Sequence, residues 1–249
     1  MKNIVWLFLL SIILISCVNN DNTEVTSGAM GFAFYHTWDG EEVNFEDFNR
    51  FDYTNANGEL MSISKLKYLI SDIILTNSAE EQIEISGYFL VDIELDRTFI
   101  SVANIPFDTY VKVEFTFGFD EEDNIDGEYP ALNAELWNWP VDLGGGYHFM
   151  QFEGKYQLGA EEKPYALHMG TAKVSDGVFE QNYFEVSFNE EFNFDRPGTL
   201  AFNMRIDEWF KNPHVWDLNT YDTNLMPNYD AQIMMNDNGV SVFGLFGDD

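Results

Sequence analysis

The chain of 249 residues contains one cysteine, four histidines and twelve lysines and arginines. A single cysteine excludes a disulfide framework and a thiolate zinc finger. Twelve basic against 43 acidic residues, a formal net charge of −31, leave no basic face for a phosphate backbone. The same balance excludes adhesion of the folded part to anionic lipid. No Gly-x-Ser-x-Gly elbow, phosphate-binding glycine loop or His-Glu-x-x-His is present. Acidic pairs are common because the whole chain is acidic, so they do not single out a glycosidase. The expectation is a binding protein and not an enzyme, with no nucleic-acid partner. Beyond the N-terminus no stretch approaches the ~18 apolar residues of a membrane-crossing helix.

The N-terminus reads as an address. Lys2 precedes an apolar run, Ile4 to Ile15, that is too short to span a bilayer. The run ends Leu14-Ile15-Ser16-Cys17, the pattern of a bacterial lipobox, in which the cysteine is acylated after cleavage. This predicts a signal peptide over 1–16 and a lipid anchor at Cys17. A polar tether follows over 17–28 and one domain over 29–249. The predicted location is the cell envelope, anchored in the outer membrane and facing the periplasm or the outside. With Cys17 lipidated, the domain holds no free thiol, and any soft-metal chemistry must use His and Met.

What the chain does have is aromatic residues, 23 Phe and 12 Tyr, and alternation with period two. Phe32, Phe34 and His36 share one face of a strand. Residues 110–117, 183–188 and 200–206 alternate in the same way. Turns such as Asn57-Gly58, Asp126-Gly127, Pro197-Gly198 and Asn238-Gly239 punctuate these runs. Short helices are expected at most near 63–68 and 206–211. The fold class is all-β, an antiparallel β-sandwich with long loops.

Two features raise a metal question. Asp120 to Gly127 reads Asp-Glu-Glu-Asp-Asn-Ile-Asp-Gly. Asp120 opens this acidic turn. Glu122, Asn124 and Asp126 fall at the first, third and fifth positions of a calcium loop, and Gly127 at its turn glycine. Asn133 stands where the twelfth position needs a glutamate, so a solvated hairpin loop is the competing reading. The histidines form the second feature. His36 ends the first strand, His148 lies in Gly146-Tyr147-His148-Phe149-Met150, His168 precedes Met169-Gly170, and His214 follows a proline. Each alone reads first as a satisfied or exposed structural residue. Strand parity puts His148 and Met150 on one face, a chelating pair. Three histidines and a methionine make a nitrogen and sulfur set suited to copper. The tryptophans also read as a platform for stacking sugars, or as core.

Several segments together resemble the MbnP-like family, the periplasmic partners of methanobactin. They are Phe34-Tyr35-His36 with Gly40, Leu66-Lys67-Tyr68-Leu69-Ile70-Ser71-Asp72-Ile73, Phe89-Leu90-Val91-Asp92, and Ile105-Pro106 with Tyr110. Phe117-Gly118-Phe119-Asp120 follows, then Trp139-Pro140, Gly144-Gly145-Gly146-Tyr147-His148-Phe149-Met150, Glu153-Gly154 and His168-Met169-Gly170. The resemblance spans about residues 30 to 245. It implies a β-rich, extracytoplasmic copper-binding domain. In such proteins histidines and a tryptophan oxidised to kynurenine hold copper, and a di-haem enzyme of the cytochrome c peroxidase type makes that modification. By motif position it implies His36, His148 and His168 as ligands. Met150 is added by parity, and Trp139, Trp137 or Trp38 is the modified or supporting tryptophan. The partner would be that di-haem enzyme or an outer-membrane transporter. Two departures stand out: Asp108 replaces a usual glycine, and Pro140 to Gly145 is longer than the corresponding link in copper-binding members. The function expected is copper acquisition or storage. The alternative is a carbohydrate- or partner-binding surface lipoprotein with a structural calcium loop.

Overall fold

Alternating aromatic and β-branched residues carry the chain through fifteen strands, which the computed structural model describes over residues 26–246. The signal peptide, Cys17 and the tether up to residue 25 lie outside the described residues. In chain order the first strands are β1 (Ser27–Trp38), β2 (Glu41–Glu42), β3 (Tyr53–Thr54), β4 (Leu60–Asn77) and β5 (Gln82–Asp92). Next come β6 (Phe99–Pro106), β7 (Asp108–Phe117), β8 (Met150–Leu158), β9 (Glu161–Met169) and β10 (Ala172–Ser175). The last five are β11 (Val178–Glu180), β12 (Phe184–Phe188), β13 (Phe192–Phe194), β14 (Gly198–Arg205) and β15 (Phe243–Leu245). Two α-helices, α1 (Pro130–Ala134) and α2 (Tyr229–Gly239), lie in the connections. β1 takes in Ser27 and Gly28, which sequence assigned to the tether.

One sheet runs β15-β14-β1-β2, with β6 also on β1; the larger runs β12-β7-β4-β8-β9, with β13 on β7 and β3 and β5 on β4. All pairings are antiparallel except β1 with β14, which is parallel from Met30↔Gly198 to Thr37↔Arg205. The inner faces meet in an aromatic core. Phe34 on β1 packs against Tyr68 (6.4 Å), Phe115 (6.0 Å) and Phe202 (5.3 Å). Burial of such side chains supplies the main stabilisation, each worth about 1.5–3 kcal/mol.

The 63–68 stretch, expected as a short helix, lies inside β4. Register shifts at Ile63/Lys65 and Ser71/Ile73 insert extra residues into the strand. Its buried side chains are therefore 61–63, 66, 68–71, 73, 75 and 77, without strict alternation. A bulge imitates the three-residue spacing of a helix, and pairing on both edges decides for the strand. The expectation near 206–211 is met by a 3₁₀ helix over Ile206–Phe210. Two family-like segments face one another here: Lys67 pairs in register with Asp92, and their side chains form an ion pair of 2.7 Å with Asp92 fully buried.

His36 belongs to this core. Its Nε2 shares a hydrogen bond of 2.9 Å with the Tyr68 hydroxyl, and the ring is buried. Burial lowers its pKa to about 3. In the unfolded chain the ring titrates near 6.5, so stability is complete above that value and is lost as pH falls through the window from 6.5 towards 3. By pH 5 the loss from this histidine is on the order of 2 kcal/mol. Urea midpoints at pH 7.5 and pH 5 should differ accordingly, and the difference should shrink in His36→Gln.

Candidate functional site

The segment Trp137-Asn138-Trp139 folds back on Gly146-Tyr147-His148. Asn138 bridges Tyr147, the His148 N–H donates to the Trp137 carbonyl (2.9 Å), and the Trp139 N–H donates to the Gly146 carbonyl (2.9 Å). The Trp137 indole N–H closes the other side on the His148 carbonyl (2.5 Å). Between the two arms, Pro140 to Gly145 forms a 3₁₀ turn, Val141–Leu143, and a glycine corner. The Trp139 indole N–H caps that turn on the Leu143 carbonyl (3.2 Å). The His148 backbone is thereby fixed before β8 begins.

β9 delivers the second imidazole. His168 stands opposite Gln151 in the β8–β9 ladder and projects from the outer face of the larger sheet, beside Glu153. Gly170 follows, and a Cβ there would lie 2.5 Å from the Trp139 ring. Only glycine lets that indole settle against the strand end. The result is a packed quartet. The His148 and His168 ring centroids are 5.2 Å apart at 86°, and Trp139 and Trp137 lie 5.0 and 5.5 Å from His148.

The two histidines differ in chemistry. His148 is 6% exposed, and its Nδ1 is buried with no hydrogen-bond partner among the described residues. Burial first, then the neighbouring His168, lowers its pKa to about 3, so it is neutral at neutral pH. His168 Nε2 bonds Glu153 Oε1 at 2.9 Å, and the same oxygen holds Lys65 Nζ at 2.7 Å. The hydrogen bond from His168, together with Lys65, holds the Glu153 pKa down to about 2. An ionised carboxylate only accepts, so Nε2 donates, which in the neutral ring leaves the lone pair on Nδ1. Beside His168 opens a groove of about 430 Å³, walled by Leu143, Leu225, Met226 and Pro227. The fully buried Gln232 of α2 ties its parts together: Nε2 donates to the carbonyls of His168 (2.8 Å) and Leu225 (3.2 Å).

His36 and Met150 lie elsewhere. Met150 pairs with Tyr68 and Met169 and is fully buried in the core, on the inner face of the sheet whose outer face carries His168. His36, bonded to Tyr68, is on that inner side too. Parity misplaced Met150 because it was counted from His148, which precedes the ladder and belongs to the bridge with Trp137. Trp38 packs on Tyr53 (5.0 Å) and Phe210 (5.7 Å), also in the core.

The acidic turn gathers no cation cage. Asp120 accepts from the N–H groups of Glu122 (2.9 Å) and Asp123 (3.0 Å). Asn124 is spent on Thr171 (3.1 Å) and the Tyr147 N–H (2.9 Å), stitching this turn to the histidine-bearing corner. Among the described residues no group of three or more His, Cys, Asp or Glu side chains is placed to hold a metal ion. Among the described residues there is no tryptophan platform either, because Trp38, Trp137, Trp139, Trp209 and Trp216 are all buried.

The chain matches the family model for MbnP over residues 27–234. It is a member of the MbnP family. MbnP is a periplasmic protein family, and among the described residues no helix is long and apolar enough to cross a membrane. Among solved structures, MbnP from Methylosinus trichosporium superposes with a TM-score of 0.57 at 14% sequence identity, covering 77% of this chain and 80% of that one. That likeness shows the shared β-sandwich fold. No curated protein matches. Within this MbnP-family chain, sequence reasoning missed Glu153, Lys65, Met226 and Gln232. Glu153 alone had a local signal, standing two residues beyond Gln151 on the face that His168 shares.

Proposed function

We propose that this MbnP-family protein is a lipid-anchored copper-binding protein of metal acquisition or storage, with His148 and His168 as its ligands. Its family membership supports an extracytoplasmic role. The observation that carries the reading is the pair of imidazoles, one with a buried, unpartnered nitrogen. Two imidazoles on one ion, with metal–nitrogen bonds near 2 Å and a near-tetrahedral angle, have ring centroids about 5 Å apart. The observed 5.2 Å fits. A set of two neutral nitrogen donors falls short of the four ligands of a structural zinc site and lacks the oxygens calcium needs. It suits copper, for which imidazole and thioether are good donors.

The residues divide the work. His148 stays neutral well below pH 6.5, so protons compete weakly for it. Glu153 and Lys65 hold the His168 ring in one tautomer and orientation. Trp137 and Trp139 shield His148 from water, while His168 faces the groove. If a di-haem partner oxidises a tryptophan in this protein, either of these two, and not Trp38, is the target that would alter the site. The role is binding and not catalysis.

Copper(I) titration against a competing chelator tests the proposal on the full chain in detergent. His148→Ala and His168→Ala should each weaken binding by about 100-fold or more, beyond the range of outer-shell substitutions. His36→Gln should leave it unchanged. Equal affinity in all four proteins would remove the site.

A further inference from the structure

The groove beside His168 holds a sulfur that the core does not use. The chain has nine methionines. Every described one except Met226 is buried in the hydrophobic core or packed against it. Met226 is half-buried and lines the groove of about 430 Å³ together with His168 and Leu143. No cysteine, lysine or arginine lines that groove, and its one carboxylate, Asp142, is exposed.

The local backbone presents this side chain, and longer-range bonds hold it beside β9. Asn224 turns the chain in a left-handed conformation (φ 57°). Leu225 then plugs into the core, and Pro227 follows with its φ fixed by the ring. The Asn228 N–H donates to the Leu225 carbonyl (3.0 Å), and the Asn228 side chain caps α2 by accepting from the Ala231 N–H (3.2 Å). Met226 thus has an anchored backbone and a flexible side chain that adapts its reach. The whole turn is tied to the strand that carries His168. The Ala166 N–H donates to the Asp222 carbonyl (2.7 Å), and the Gln232 amide bonds the His168 and Leu225 carbonyls at once.

We propose that the Met226 thioether joins His148 and His168 as a third ligand and makes the site one for a soft monovalent ion, copper(I), in preference to copper(II) and zinc(II). The inference rests on the reading of the two histidines as ligands and adds what that pair lacks. Imidazole suits copper and zinc alike, so two histidines do not choose between them. A thioether favours the soft ion and adds little for the harder ones. Two imidazoles and a thioether bring no negative charge. A divalent ion entering a groove walled by Leu143, Leu225 and Pro227 sheds more hydration than such neutral donors return.

The test uses the full chain in detergent. Copper(I), silver(I), copper(II) and zinc(II) are each titrated against a competing chelator, and X-ray absorption at the copper edge reads the neighbours of bound copper(I). In Met226→Leu, copper(I) and silver(I) affinity should fall at least about tenfold, while copper(II) and zinc(II) affinity should change less than about twofold. The melting temperature should match the parent's, because the side chain lies outside the core. The sulfur scatterer seen at copper in the parent should vanish. Met226→His should reverse the preference and strengthen zinc(II) binding at least about tenfold. Copper(I) affinity that survives Met226→Leu but not His148→Ala or His168→Ala would refute the thioether and leave the histidine pair standing. A sulfur scatterer retained in Met226→Leu refutes it too, as do equal losses for all four ions, the mark of a wall residue. A parent that binds no copper(I), or binds it as well without either histidine, removes the pair and the third ligand together.

Discussion

Replacing Gln232 with leucine should lower the stability of the protein by about 3–5 kcal/mol, one of the largest effects available to a single substitution here. Gln232 is fully buried and serves several groups at once. It donates to the His168 and Leu225 carbonyls and accepts from the Gly170 N–H (3.3 Å) and the Asn182 amide (3.3 Å). Leucine fills a similar volume but leaves these groups without a partner, each at a cost of about 1–3 kcal/mol. For a domain of this size the melting temperature should fall by about 10 °C. The same variant should bind copper(I) more weakly than the parent at a temperature where it is folded, because His168 and the Leu225–Met226 wall lose their common anchor. A melting temperature within a degree or two of the parent would mean that water replaces the amide and that the anchor is dispensable.

Gly154→Ala should be more severe still. Gly154 sits in β8 opposite both Ile63 of β4 and Tyr165 of β9. A Cβ there would lie 1.9 Å from the Ser62 carbonyl oxygen and 2.6 Å from the Tyr165 hydroxyl, which donates to that same oxygen (3.0 Å). The first contact is with backbone, so no rotamer relieves it, and the bulge beside Ser62 leaves β4 no slack. The expected cost exceeds about 3 kcal/mol, at or beyond the usual range for overpacking, and soluble folded protein should be largely lost. Adding Tyr165→Phe removes the hydroxyl contact and not the carbonyl one. The double variant should fare no better, and recovery of a normal melting curve would show that the tyrosine was the obstacle.

The strands that the sequence announced are those with the longest stretches of alternation. Residues 183–188 and 200–206 fall within or beside β12 and β14, and 110–117 within β7, where alternation holds from Val113 on although a register shift at Thr76/Asn77 puts an extra residue between Tyr110 and Lys112. β4 misled because its two bulges shift parity. α2 went unseen because its eleven residues, Tyr229–Gly239, carry almost no amphipathic stripe and include three polar asparagine and aspartate side chains beyond its first turn; the Asn228 cap was its one local mark. At the site, His148, His168 and the two neighbouring tryptophans were legible because they lie in short distinctive segments. Lys65 and Gln232 were not, since each reaches its partner across 88 and 64 residues of chain. His36 was named with them, but its place on the inner face depends on how the sheets stack, which a sequence motif does not state.

The parallel pairing of β1 with β14 also governs when the molecule can become itself. Residue 30 waits for residue 198, and residue 37 for residue 205. However the polypeptide emerges, its first strand stays half-dressed until some four-fifths of the chain has been delivered. Contacts of such sequence separation make maturation slow and leave sticky intermediates exposed. Truncation anywhere before residue 205 therefore should not yield a shorter working protein; it should yield debris for proteases.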